Sequence, residues 1–184
     1  MLEEVLRQRP DAIEAADNLI TNVASLALHL GPRGQYEEAL PNFDRAIELS
    51  IELKPKLPQR YIHPYDMRLT FIRQGRAETL ARLVRHAECS EEVDAMLALR
   101  PEAPDNLYMA AATIAVLSRE LAALDAPDED LVAKYTQRAF ELLAQSIDAG
   151  FTEVEMLEAS EEFAHLRDHQ GFAAARQAMA EKSR

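Results

Sequence analysis

A chain of 184 residues, net charge −12 and 48% hydrophobic residues has the length of one compact domain or one short repeat array. The acidic balance excludes a general nucleic-acid binder, because phosphate contacts need Lys and Arg. A single cysteine excludes a disulfide framework and a multi-cysteine metal site, and five glycines with abundant Ala, Leu and Glu favour helices.

Residues 2–8 are apolar at Leu2, Val5 and Leu6 and stop at Pro10. Residues 11–30 form the next predicted helix. Asp11 can cap it, with Glu14 at capping-box spacing. GPRG at 31–34 breaks it. A helix over 35–54 follows, with Pro41 inside its first two turns, where a missing N–H is tolerated. Residues 55–64 hold Pro55, Pro58 and Pro64 and read as a loop. Helices over 65–84 and 86–99 come next, closed by RPEAPD. A long helix runs from about Asp105 to Leu124. The loop DAPDED leads into a helix over 129–149, with Asp128 as its cap and Gly150 after its end. A short helix near 153–158 and the pieces EEFAHLRDH and GFAAARQAMAEK complete the chain. No segment alternates like a strand.

No apolar run reaches the roughly 18 residues of a spanning helix, so no membrane insertion is predicted. MLEEVLRQRP lacks the apolar core of a signal peptide. The expectation is a soluble, cytoplasmic protein. Charge is uneven along it. Residues 54–85 carry eight Lys/Arg against Asp66 and Glu78, and residues 119–163 carry twelve Asp/Glu against Arg119, Lys134 and Arg138. Either these are two solvated faces, or the basic stretch recruits an acidic partner segment.

In GQYEEALPNFDRAIEL, Tyr36, Ala39, Phe43 and Ala46 fall three or four apart, on one helical stripe. Two of the four are small, so a second helix must approach there. The pattern recurs imperfectly. His86, Cys89, Val93 and Met96 repeat the spacing, and Ala139, Leu143 and Ser146 repeat its second half. Cys89 occupies a small-residue packing position, with no basic neighbour placed to activate it as a nucleophile.

This pattern resembles the tetratricopeptide repeat, a helical pair of about 34 residues. Repeat one carries Leu26, Ala27 and Leu30, then Gly34, Tyr36, Ala39, Phe43 and Ala46, its closing proline displaced to Pro55. Repeat two carries Ala77 and Leu80, then Cys89, Val93, Met96 and Pro101; Val84 stands at the turn glycine and His86 at the tyrosine. Repeat three carries Ala110, Ala111 and Ile114, then Ala139, Leu143 and Ser146. Over most of its length the chain also resembles the C-terminal repeat region of large bacterial serine/threonine kinases, best known in planctomycetes. The segments that carry this are GRAETLARLVRHAE, YMAAATIAVLSRELA, KYTQRAFELLAQSIDAGF and FAHLRDHQGFAAA. The family's Asp-Pro near the last segment is absent. Kinase catalytic motifs are absent as well, so no enzyme is expected.

The resemblance implies an all-α solenoid. Residues 1–19 form an N-terminal helix or partial repeat. Repeats span 20–64, 65–103 and 104–150, and capping helices span 151–184. MLEEVLRQRPD reads either as the end of an earlier repeat or as an ordinary capping helix. The first helix of each repeat would line a concave groove. That puts Thr21, Ala24 and Leu28, then Phe71, Gln74 and Glu78, then Asp105, Tyr108 and Ala112 inside it. The Lys, Arg and Asn of the family's carboxylate clamp are missing there. The implied function is a non-catalytic scaffold that holds a protein or peptide partner of unknown identity, with no cofactor. Self-association is an alternative. A metal-dependent domain is another, since His165 and His169 lie four apart beside Glu161 and Glu162. The acidic loop 125–130 lacks the alternation and central glycine of a calcium loop. Tyr61, His63, Pro64 and Tyr65 form an aromatic, proline-rich loop, either a clamp between helices or a recognition loop.

Overall fold

The computed structural model describes residues 13–183, which form eight α-helices and no strand. They are α1 (Ile13–Leu30), α2 (Tyr36–Leu53), α3 (Ile62–Arg82), α4 (His86–Leu97), α5 (Pro104–Ala122), α6 (Glu129–Asp148), α7 (Val154–Ala159) and α8 (Gln170–Lys182). The fold is all-α. None of these helices is long and apolar enough to cross a membrane. The expected helix over 2–8 and the Asp11 cap lie outside the described residues.

Short connections make antiparallel pairs of α1 with α2, α3 with α4 and α5 with α6. The pairs join through α2 on α3, α3 on α5 and α4 on α5, and α8 packs on α6 and α7. Two apolar clusters result. The first gathers Ile20, Ala27, Ala39, Phe43, Ala46 and Leu69 from α1, α2 and the start of α3. The second runs from Ala77 and Leu80 of α3 through α4, α5 and α6 to Phe172 and Met179 of α8. Ala27, Ala39, Ala46, Cys89, Ala111 and Ala139 have no exposed surface at all. Backbones can approach closely at these positions only because the side chains are small.

Three turns close in the same way. After α1, Gln35 N–H donates to Leu30 C=O and Gly34 N–H to Gly31 C=O. After α3, Arg85 donates to Leu80 and Val84 to Ala81. After α6, Phe151 donates to Ser146 and Gly150 to Ile147. Each is the paired 6→1 and 5→2 bonding of a Schellman cap, which needs a left-handed residue. Gly34 (φ 73°) and Gly150 (φ 109°) supply it without cost, whereas Val84 (φ 58°) does so as a β-branched residue. A Cβ added at Gly34 would meet nothing within 4 Å. Gly34→Ala should therefore cost about 1 kcal/mol through the backbone alone, read as a lower urea midpoint at unchanged slope.

One stretch differs from expectation. Residues 55–64 are not one loop. They hold 3-10 turns at Lys54–Lys56 and Gln59–Tyr61, and α3 then begins at Ile62 with Pro64 in its first turn. First-turn N–H groups have no intrahelical partner, so the proline removes nothing there. Asp128 does cap α6, accepting from Leu131 N–H at 3.0 Å. Pro101 is exposed in the turn between α4 and α5.

The basic run is largely neutralised inside the molecule. Arg68 pairs with Asp17 of α1. Arg76 reaches Asp44 of α2 at 2.7 Å, and both Arg73 and Arg76 grip Glu92 of α4, at 2.6 and 2.9 Å. Arg82 reaches Glu120 of α5 at 2.9 Å, and Arg85 pairs with Glu88. Of the two readings of this run, the solvated face is the one that changes, since most of its arginines are paired with carboxylates of other helices. Its charges serve to tie α3 to each of its neighbours.

Candidate interaction groove

Two stripes face each other across a valley between α1 and α3. On α1, Glu14, Asp17, Thr21, Ala24 and Leu28 recur at three or four residues; on α3, Pro64, Arg68, Phe71, Gly75, Glu78 and Arg82 do the same. The Asp17–Arg68 pair bridges the valley near one end. Near the other end lies a hollow of about 340 Å³, lined by Ala27, Leu28, Tyr36, Phe43, Gly75 and Glu78 among others. Gly75 makes this hollow possible. A Cβ there would fall 2.7 Å from Phe43 Cζ and 3.3 Å from Leu28 Cδ2. The ring of Phe43 thus forms the floor directly under α3.

Leu28 and Phe71 are 55% and 49% exposed, an uncommon arrangement for large apolar side chains on one valley. Gln74 and Glu78 are half-buried, and Glu78 lies 3.6 Å from Arg82. Thr21 is exposed, and its hydroxyl donates back to the Asp17 carbonyl at 2.9 Å. Ala24 is buried beneath these groups.

Tyr108 is a correction. It is only 8% exposed, its ring stacks on Phe151 at 4.4 Å, and Phe163 tilts against it at 6.0 Å. Burial raises its phenol above the usual range. The segment after α6 folds back over α5 and covers the position that repeat logic would leave open. Ala112 is buried as well, and Asp105 is held by Arg100 at 2.9 Å.

The two histidines are committed separately. His165 Nε2 sits 3.0 Å from Ser118 Oγ, and burial with Arg119 nearby lowers its pKa. His169 accepts from Gly171 N–H at 3.0 Å, capping α8, and stacks on Phe140 at 4.8 Å. Among the described residues no group of three or more His, Cys, Asp or Glu gathers as metal ligands would. Cys89 has no exposed surface, and burial pushes its thiol up to about 12. A thiol so placed is inert at neutral pH.

Gly75 is the groove residue that sequence reasoning missed. A lone glycine inside a helical pattern was the available signal, since it marks a close backbone approach. Compared with known proteins, the chain matches no family model, no curated protein and no solved structure.

Proposed function

We propose that this chain is a non-catalytic protein–protein interaction module, a short tetratricopeptide-like solenoid whose α1–α3 valley holds a partner segment. The observation that carries the reading is the valley itself, with Leu28 exposed on α1 at the edge of a preformed hollow and Phe71 exposed on the facing helix α3. Exposed aromatic and aliphatic anchors over a rigid floor are what peptide grooves use. The repeated Schellman turns and the wholly buried alanines support the solenoid part of the reading. Its likeness in sequence to the repeat region of bacterial serine/threonine kinases makes a signalling scaffold in the cytoplasm the natural setting.

The test is capture of partners from bacterial lysate by the wild type beside a Leu28→Ala, Phe71→Ala, Gln74→Ala variant. All three side chains lie at or near the surface, so the variant keeps its fold, checked by circular dichroism. A partner retained by the wild type and depleted at least tenfold by the variant supports the reading. Equal retention by both removes the valley from the proposal, and capture by neither overturns the module.

A further inference from the structure

We propose that the partner in this valley is an extended, proline-containing segment that carries a basic residue, an inference that rests on the interaction reading above. Beyond Thr21 and Phe71 the valley opens into a second hollow of about 510 Å³, at the N-terminal ends of α1 and α3. Its walls are Ile13, Leu57, Pro58, Tyr61, Pro64 and Tyr65. These are flat or rigid apolar surfaces, the kind that proline rings stack on. A polyproline II segment has no internal hydrogen bonds and enters such a groove already extended.

Tyr65 is fixed before any ligand arrives, and Tyr61 stands on the surface beside it. Tyr65 donates its hydroxyl to the Ser50 carbonyl at 2.9 Å, and the Arg68 guanidinium lies 4.8 Å from its ring centre. Tyr61 is 48% exposed and carries Arg60 at 4.9 Å from its own ring centre. Little side-chain freedom of Tyr65 is then lost on binding.

Charge selects the basic residue. Asp17 is occupied by Arg68, but Glu14, at the far end of the recess, has no hydrogen bond or ion pair with any described residue. Its carboxylate is exposed on the α1 side of the recess, opposite the wall that carries Arg60. Length sets the size of the segment. From Glu14 to Leu28 the helix rises about 21 Å at 1.5 Å per residue. An extended polyproline II chain covers that distance with about seven residues.

The experiment titrates the full chain with a fluorescent eight-residue peptide holding two prolines three residues apart and a terminal arginine. Three further arms use that peptide with both prolines replaced by alanine, that peptide with arginine replaced by alanine, and the Tyr61→Ala and Glu14→Gln variants of the protein. Expected is saturable anisotropy, a tenfold or greater loss without the prolines, and a similar loss in Tyr61→Ala. Glu14→Gln should lose severalfold for the arginine peptide and nothing for its alanine counterpart. Equal binding of the proline-free peptide, or no binding at millimolar peptide, overturns the inference. So does concentration-dependent doubling of mass that shifts the Tyr61 NMR signals, since a second copy then fills the recess. A lysate partner lost with Phe71, in the face of a failed proline peptide, would sink this inference and leave the interaction reading intact.

Discussion

Glu92→Ala is expected to destabilise the protein by about 3 to 5 kcal/mol, the range for removing one partner of a buried ion pair. Glu92 accepts from Arg73 and Arg76, and the side chains of the three are 9%, 15% and 20% exposed. The two arginines would not suffer equally. Arg76 keeps Asp44 at 2.7 Å, but Arg73 loses its carboxylate, and its Nε already has no hydrogen-bond partner. The loss should appear as a fall in melting temperature of roughly 6 to 20 °C for a chain of this size. The double substitution Arg73→Met, Glu92→Met should cost far less, because no charge is left stranded among packed helices. If Glu92→Ala unfolds within about 1 kcal/mol of wild type, the cluster is hydrated enough to behave as a surface pair.

Phe43→Ala should cost a similar amount, about 3 to 5 kcal/mol, from lost burial and the cavity left behind. The ring is 2% exposed and packs directly under Gly75. The coupling between the two positions is the sharper result. Gly75→Ala alone should destabilise by about 1 to 3 kcal/mol, since its new Cβ falls 2.7 Å from Phe43 Cζ. On a Phe43→Leu background the shorter side chain leaves room, and the same change should cost less. Urea melts of the four proteins close the cycle, and strict additivity would mean that the ring yields freely.

Helix positions were legible in the sequence to within a few residues, because apolar stripes and Gly or Pro punctuation are local signals. The early start of α3 was not, because Pro64 marks a loop by composition while being tolerated in a first turn. Val84 shows a different limit. Its identity argues against a left-handed turn, yet Arg85 still donates to Leu80, since packing of α3 on α4 determines the backbone there. Of the valley, Leu28, Phe71 and Glu78 are reached only through the repeat resemblance, which assigns the first helix of each pair to a groove. The cover over Tyr108 was not legible, because Phe151 and Phe163 come from a segment beyond the next helix. The pairing of the basic run was equally invisible, since Asp17, Asp44, Glu92 and Glu120 come from four different helices.

α5 has a consequence for how the chain is made. From Ala110 through Ser118 every residue is buried, two and a half turns with no solvent face. Such a segment leaves the ribosome as bare apolar surface. Part of its cover, α3 and α4, already exists at that moment, but α6 and the Phe151–Phe163 segment do not. Synthesis at about 5 to 20 residues per second leaves it open for several seconds. The nascent chain is therefore most exposed to misassembly after its first two helical pairs are complete, and the acidic connection at 123–128 is still to be turned.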